Sequence, residues 1–446
     1  MKPLLENIKV YDKKSGTHYS GSRNFFKLLK LAYRNLFRNK RRSFFAILIT
    51  VSGCTALCLA AGYYRFSIYS LQELTIRNGF GGASGTGHVQ IMDKRTAVQQ
   101  EGHALDFGID STDKLTEIIK RNVAVDYVLP RIEFGGLVSN GDKSAPFKGY
   151  GIDVDKEIHL WAGLSEINPK LKLGEQLTPL KKTKTGIILG KELASVLNAK
   201  TGDILMLYVV TPQGTMNGLD VELLGIMSTG VRETDKYYLL TTIDVVHKLV
   251  TVNKISLLSV MFKNRDHFDA KIKSLEEDLK KEPAAAGLKL TSWEKGADFY
   301  ISIRDIFNII FTFMGSIIIV IVFLSCWNIM NMTTMERIRE IGTLRAIGLS
   351  VKNISTIFLL EALLIGITGV ITGLLIQFII SRFLNRLHII MPPVPGMSRP
   401  YTLQVYGVTW LHPWIVAGII IALTASSFSS FLLIKRFSIV QSLEHT

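Results

Sequence analysis

Residues 306–335 read IFNIIFTFMGSIIIVIVFLSCWNIMNMTTM, thirty consecutive positions without a charged side chain. Further uncharged runs occupy residues 44–64, 362–381 and 412–434. Because a helix of roughly 20 apolar residues crosses the hydrocarbon core of a bilayer, each run is long enough to span a membrane. The sequence therefore predicts a membrane α-helical protein with four transmembrane helices, at 44–64, 306–335, 353–381 and 412–434.

A large polar insert separates the first two spans. Residues 65–305 carry 31 basic and 31 acidic side chains and alternate short strand-like and helix-like patterns. We therefore predict a mixed α+β domain inserted between helices 1 and 2. We expect both spans to continue into it as helical stalks, the first as far as the glycine run 79–87. Strands are predicted at 89–92, 127–134, 146–152, 186–189, 204–210, 221–227 and 255–262, and helices at 191–197 and 266–280.

Positive charge gives the expected orientation of the chain. Residues 1–43 carry 12 Lys and Arg against 2 Asp and Glu, 336–352 carry 4 against 2, and the tail 435–446 carries 2 against 1. Since basic residues that flank spans mark the cytoplasmic side, we predict that these three segments are cytoplasmic. The insert 65–305 and the short loop 382–411 are then extracytoplasmic. The net charge of +15 lies outside the neutral insert, which argues against a nucleic-acid-binding domain.

The N-terminal segment contains an amphipathic pattern at 24–38. Basic residues, among them Lys30 and Arg34, recur at spacings of three and four on one side of a helix. The opposite, apolar face comprises Phe25, Leu28, Leu29, Ala32, Tyr33 and Leu36. We predict an interfacial helix that lies in the headgroup layer with its basic side toward anionic lipid.

The chain lacks the patterns of a catalytic, nucleotide-binding or metal centre. It contains no Gly-Lys-Ser/Thr, so it has no Walker A phosphate loop, and its nine histidines are scattered. Cys54 and Cys58 lie one helical turn apart inside a span, where two small apolar residues are a simpler interpretation than a metal or redox pair. Glu361 is an intramembrane carboxylate and therefore a functional candidate, either as a proton relay or as the partner of a basic residue near the headgroups.

The most specific local pattern is Met335–Gly348, MERIREIGTLRAIG. Ile338, Ile341, Leu344 and Ile347 recur every three residues and form one apolar stripe on a short charged helix. A solvated turn would leave polar linker residues here. We therefore favour a helix that docks into the groove of a partner protein.

Residues 336–348 resemble the signature of the FtsX-like (MacB-type) ABC permease superfamily. Glu361-Ala362, followed by glycines at one-turn spacing, resembles the third span of the same family. Similarity to its lipoprotein-releasing, LolC/LolE-type branch is carried by IILGKELA at 187–194, by Gly202-Asp203, by 224–230 with Asp235, and by Ser292-Trp293. The loop 391–397 is more proline-rich than this branch leads us to expect, and 211–218 is the nearest candidate for a chaperone-binding hook.

The resemblance implies that 336–352 is a coupling helix that contacts a separate ATPase. The residues it assigns to ATPase coupling are Glu336, Arg337, Arg339, Glu340, Ile341, Leu344 and Arg345. We expect Gly366, Gly369 and Gly373 to allow close helix packing in the third span. Four aromatic residues at the outer end of the first span are candidates for a cargo-gripping rim or for an ordinary interfacial belt: Tyr63, Tyr64, Phe66 and Tyr69.

The function that the resemblance implies is that of a permease subunit of an ABC transporter in the bacterial inner membrane, with a periplasmic insert. The chain itself is then not an enzyme, and ATP and Mg²⁺ are bound by a cytoplasmic ABC ATPase dimer. Other expected partners are a second permease subunit, identical or paralogous, a periplasmic carrier or adaptor, and membrane lipid. The expected cargo is a lipoprotein, lipid or other amphiphile. The alternative is an FtsX-like mechanotransmission subunit that activates an envelope enzyme without moving cargo, but the size of the insert favours transport.

Overall fold

The computed structural model describes residues 21–38, 40–78, 87–96, 105, 107–110, 112–166, 173–181, 183, 185–264, 268–392 and 400–437. The chain divides into two compact units. The first unit comprises the chain up to Phe66, residues 307–388 and the chain from Gln404, and the second comprises residues 67–306 and 389–403. Predictions for four segments lie outside the described residues: 1–20, most of 79–87, most of 391–397 and 438–446.

Twelve α-helices lie in the described part of the chain. They are α1 (Gly21–Arg38), α2 (Lys40–Asn78), α3 (Thr112–Arg121), α4 (Val154–Ala162), α5 (Lys191–Val196), α6 (Arg232–Asp235), α7 (Ile243–Val250), α8 (Phe268–Lys280), α9 (Asp298–Glu336), α10 (Ile338–Ala346), α11 (Val351–Leu387) and α12 (His412–Arg436). Four of these, α2, α9, α11 and α12, are long and apolar enough to cross a membrane. The prediction of four membrane helices is confirmed on length and composition.

Two of the long helices continue past their apolar runs as expected for the helical stalks, since α2 extends to Asn78 and α9 begins at Asp298. Helix α11 continues to Leu387, beyond its predicted end at residue 381, so the first part of the predicted loop 382–411 is helical. Arginines such as Arg382 end an apolar run in the sequence. They do not end a helix, because arginine is a good helix former with a long apolar stem.

The membrane helices of the first unit pack around small side chains. One buried cluster draws on all four of them and comprises Cys54, Leu57, Cys58, Val322, Cys326, Val370, Ile419 and Leu423. All three cysteines are free and buried. They therefore act as small apolar core residues, in line with the simpler of the two interpretations of Cys54 and Cys58.

Helix α1 packs against α11 through the middle of its apolar face. Ala32 is fully buried beside Ile357 and Leu360. Tyr33, which the amphipathic pattern assigns to the same face, is instead 57% exposed, and Phe37 is exposed with it. Successive residues are about 100° apart around a helix, so the side chain that follows a buried Ala32 turns toward the exposed side.

Nine strands of the second unit form one sheet, and two short strands form another. They are β1 (Val89–Asp93), β2 (Val125–Ser139), β3 (Ser144–Ile152), β4 (Gly186–Gly190), β5 (Ile204–Val210), β6 (Met216–Met227), β7 (Tyr238–Thr242), β8 (Leu257–Phe262), β9 (Leu288–Ser292), β10 (Ile390–Met391) and β11 (Tyr401–Thr402). The order of the large sheet is β3-β7-β4-β6-β5-β2-β8-β1-β9, and β3 pairs with β2 as well. That additional pairing closes six strands into a ring.

Strand β2 joins the ring to the remaining three strands. Its residues 131–139 pair with β3, 137–139 pair with β5, and 125–131 pair with β8, all antiparallel. Gly136 lets β2 and β5 approach each other closely, because a Cβ at this position would lie 2.0 Å from the carbonyl oxygen of Tyr208 on β5. The long strand therefore serves two parts of the sheet at once.

His88 precedes β1 and is buried in the second unit. Its Nδ1 accepts a hydrogen bond from the backbone N–H of Phe262 at 3.0 Å, and the Phe262 and Phe268 ring centroids lie 6.0 and 5.8 Å away. Its Nε2 has no hydrogen-bond partner among the described residues. Burial, reinforced by the positive charges of Arg77 and Lys271, lowers the pKa of His88 to about 4. The imidazole is therefore neutral near pH 7.

Candidate functional site

The predicted coupling segment consists of a helix break and a short helix. Helix α9 ends at Glu336 and α10 begins at Ile338, while Arg337 between them has φ −96° and ψ 11° and interrupts the helix. Gly348 follows the end of α10 with φ +98°. This left-handed conformation favours glycine, which explains why a glycine stops the helix here.

The Arg337 side chain contacts Glu361 of α11 in the interior of the first unit. Its Nη1 donates to Glu361 Oε1 at 2.9 Å and to Oε2 at 3.2 Å, and the two side chains are 8% and 7% exposed. Asn35 Nδ2, from α1, donates to the same Oε1 at 2.7 Å. An unpaired charge at this depth costs on the order of several kcal/mol, so Arg337 and Asn35 stabilise the carboxylate. The structure thus contains the basic partner that the sequence suggested for Glu361.

Three other charged residues of the segment are bonded to three further helices. Glu336 pairs with Arg42 at the start of α2, and Glu340 pairs with Arg38 at the end of α1. Arg345 Nη1 donates to the carbonyl oxygens of residues 434 and 437, at 3.3 and 2.5 Å, where α12 ends. The last carbonyls of a helix have no partner within it, so Arg345 caps α12.

The apolar stripe of the segment mainly packs within the chain. Ile338 and Ile341 are buried, and Ile341 belongs to a cluster with Ile354, Phe358 and Ile434 of α11 and α12. The pattern that suggested a docking stripe is therefore largely explained by internal packing.

A different face of α10 is exposed and includes Arg339, Thr343 and Ala346. Ile347, the last residue of the predicted stripe, lies just beyond the helix and is exposed as well. Arg339 is the one charged side chain of residues 336–345 for which the described residues offer no hydrogen-bond or ion-pair partner. Its guanidinium therefore remains available to an acidic group of another protein.

Comparison with known proteins identifies the segment and the helices around it. Residues 312–441 match the FtsX-like permease C-terminal family. Residues 312–441 therefore form an FtsX-like permease C-terminal domain. The resemblance drawn from 336–348 is thereby confirmed.

Two relatives illustrate how far the similarity of this permease extends. The lipoprotein-releasing system transmembrane protein LolC of Xylella fastidiosa (strain Temecula1) is 24% identical over 267 residues, which cover 58% of this chain and 61% of LolC. The permease thus aligns with about three fifths of the length of that relative. The ABC transporter permease YtrF of Bacillus subtilis (strain 168) is 38% identical over 80 residues, 18% of each chain. Among solved structures, the periplasmic region of MacB from Actinobacillus actinomycetemcomitans covers 47% of this chain and 91% of its own, with 11% identity and a TM-score of 0.32.

The three glycines of the permease's third span lie against neighbouring helices. An added Cβ would lie 2.6 Å from Thr50 Cγ2 at Gly369 and 2.8 Å from Cys54 Cβ at Gly373, both on α2. At Gly366 it would lie 3.0 Å from Leu423 of α12. The absence of side chains at these positions lets α11 approach both helices closely.

The aromatic residues suggested as a cargo rim have mixed surroundings. Tyr64 donates a hydrogen bond to Asn308 Oδ1, and the Tyr63 ring centroid lies 6.2 Å from that of Phe311. Phe66 is 4% exposed and packs edge-on against Tyr406, with 5.8 Å between ring centroids. Phe66 is therefore a packing residue rather than an exposed rim residue. Tyr69 belongs to the second unit.

The insert motifs of the permease have structural roles. Asp235 is buried and accepts hydrogen bonds from Ser228 Oγ at 2.6 Å and from the backbone N–H and Oγ1 of Thr229 at 2.6 and 2.7 Å. A Cβ at Gly190 would lie 2.3 Å from the Asp235 carbonyl oxygen. The stretch 187–194 therefore packs against Asp235, and both belong to the motifs that resemble the lipoprotein-releasing branch. Residues 211–215 form the turn between β5 and β6, with Met216 71% exposed beside it.

Sequence reasoning missed the part of the site contributed by α1 and the start of α2. Asn35 and Arg38 are three residues apart, which places them on one side of α1, and Arg42 follows four residues later at the start of α2. The amphipathic pattern shows that side to be polar. It cannot show that its partners are Glu361, Glu340 and Glu336, some 300 residues away.

Proposed function

We propose that this permease is the membrane subunit of an ABC transporter whose cytoplasmic ATPase docks on the exposed face of α10. The carrying observation is that four charged residues of 336–345 are bonded within the chain, whereas Arg339 is exposed and has no partner among the described residues. An arginine presented in this way suits a carboxylate-lined groove. The small neighbours Thr343 and Ala346 allow another protein to approach the helix closely.

Force applied to α10 then reaches the rest of the first unit through its fixed contacts. Just before α10, Glu336 contacts α2 and Arg337 contacts α11. Within α10, Glu340 contacts α1 and Arg345 contacts the end of α12. If α10 can occupy two positions and the partner binds one of them more tightly, binding of the partner increases the population of that position. ATP and Mg²⁺ belong to that partner, because the sequence of this chain has no Walker A loop.

The relatives and the size of the insert support the cargo that we propose. LolC is named as part of a lipoprotein-releasing system, and we assign this permease a lipoprotein, lipid or other amphiphile of the cell envelope. In this proposal the chain lies in the bacterial inner membrane with α10 and both termini in the cytoplasm and the insert in the periplasm. It works with a second permease subunit, and the exposed β5–β6 turn is the first place to look for a carrier.

The docking proposal is tested with the purified permease and the ABC ATPase that co-purifies with it from the native host. R339E should weaken binding of the ATPase by about 30-fold or more, the loss expected when an interface arginine worth about 2 kcal/mol is reversed. The control is R41E, which reverses an exposed cation at the start of α2. Unchanged binding by R339E would refute docking on this face.

Transport is separated from signalling in proteoliposomes. Release of a candidate lipoprotein together with stimulated ATP hydrolysis is the expected result. Stimulated hydrolysis that activates a cell-wall hydrolase without releasing cargo would instead support the mechanotransmission alternative.

A further inference from the structure

Three helices of the first unit come together at one carboxylate. Glu361 of α11 is bound by Arg337, at the break between α9 and α10, and by Asn35 of α1. Among the described residues, Oε1 accepts from both partners and Oε2 accepts from Arg337. The orientation of the carboxylate is therefore fixed by two donors from two different helices. Moving either helix away removes a hydrogen bond from a buried charge, which is costly.

Helix α1 has a second polar contact on the same segment. Arg38 lies three residues after Asn35, on the same side of α1, and pairs with Glu340, which lies three residues after Arg337. One contact would act as a pivot about which α10 turns. Two contacts one helical turn apart fix the angle between α1 and α10.

Apolar packing anchors α1 one helical turn before Asn35. Ala32 is fully buried against Ile357 and Leu360, one residue before Glu361. Helix α1 is therefore held to α11 by a dry contact and to the coupling segment by polar ones. Displacement of α10 relative to α11 must either break the polar contacts or carry α1 along.

We propose that α1 is a strut that sets the position of the coupling helix, and that Asn35 and Glu361 are positioning residues for energy transfer from the ATPase. The interfacial helix is then a working part of the transporter and more than an attachment to lipid. This inference rests on the proposed function for its consequence in transport, whereas the strut itself is a property of the permease alone.

The test moves the buried carboxylate from one helix to the other. N35D alone places two carboxylates in contact, and E361Q alone leaves Arg337 without a counter-charge. N35D/E361Q restores one carboxylate, one amide and one arginine, with the carboxylate now on α1. The control is R34E, which alters an exposed charge on the same helix.

The first readout does not involve the ATPase. Spin labels at Lys30 and Ala346, in full-length permease whose three native cysteines are alanine, report the distance distribution between α1 and α10. We expect N35D and E361Q to broaden or shift it, N35D/E361Q to restore it, and R34E to leave it unchanged. A wild-type distribution in N35D, or no recovery in the double variant, would overturn the strut.

The second readout separates positioning from folding and docking. At equal amounts of folded complex, we expect N35D to bind the ATPase within about twofold of wild type while cargo-stimulated hydrolysis falls at least about tenfold, as for a lost hydrogen bond to a charged group. The double variant should recover stimulation. Loss of binding in step with stimulation would overturn the positioning role. Failure of R339E to weaken docking would instead refute the proposed function and leave the spin-label result standing.

Discussion

Replacing Glu361 by glutamine keeps the shape of the side chain and removes the charge that Arg337 faces. Because both side chains are more than nine-tenths buried, water cannot substitute for the lost carboxylate. Breaking a buried ion pair by removing one partner costs about 3–5 kcal/mol, since an uncompensated charge remains. We therefore expect E361Q to lower the free energy of unfolding of the first unit by that amount.

The double variant R337M/E361L is the matched comparison. It removes both charges and fills the same space with apolar atoms, which is often neutral or stabilising. The wild type, R337M, E361L and R337M/E361L then form a double-mutant cycle with a coupling energy of about 3 kcal/mol or more. Unfolding in mixed detergent and dodecyl sulfate micelles, followed by circular dichroism, measures each variant. A loss below about 1 kcal/mol in E361Q, or a double variant as unstable as the worse single one, would refute this account of the pair.

Two further predictions concern close packing and a buried histidine. G373A places a Cβ 2.8 Å from Cys54 Cβ and should destabilise the first unit by about 1–3 kcal/mol in the same unfolding assay, whereas G315A, with its nearest contact at 3.8 Å, should be nearly neutral. For His88, the unfolded chain takes up a proton below about pH 6.5 and the folded chain only below about pH 4, so stability falls as the pH drops through this window, by about 3 kcal/mol in total. H88Q should remove that part of the pH dependence. The measurement is hydrogen exchange at the Phe262 amide in the full-length protein, corrected for intrinsic rates. If protection of this amide depended on pH in H88Q as it does in the wild type, the prediction would be contradicted.

The membrane helices could be predicted because lipid demands long uncharged runs. The end of α11 could not be predicted, because Arg382 ends an apolar run without ending this helix. In the second unit, a continuous run of apolar and β-branched residues such as 204–210 was predicted as a strand with its observed bounds. Sequence reasoning missed the short strands β7 and β9 and the helices α3, α4 and α7. These elements are short, so their hydrophobic patterns do not stand out from the neighbouring sequence.

The candidate site could likewise be predicted only in part from the sequence. The signature at 336–348 is contiguous, so the sequence reveals it. The sequence did not reveal which of its residues point inward: Ile341 and Leu344 looked like docking residues, but Ile341 is buried and Leu344 packs beside it. The partnership of Asn35 with Glu361 joins positions 326 residues apart. Only the folded arrangement of helices brings such positions together.

Strand β2 belongs to the six-stranded ring and also pairs with β8, the first of the three remaining strands of the sheet. No linker separates these two parts, so neither can be inherited without the other. Recombination between related genes within 125–139 would give each product a strand β2 composed of halves from two parents, which must pair with β3, β5 and β8 at once. Exchange of residues 87–292 as one block would keep β2 together with all of its partner strands.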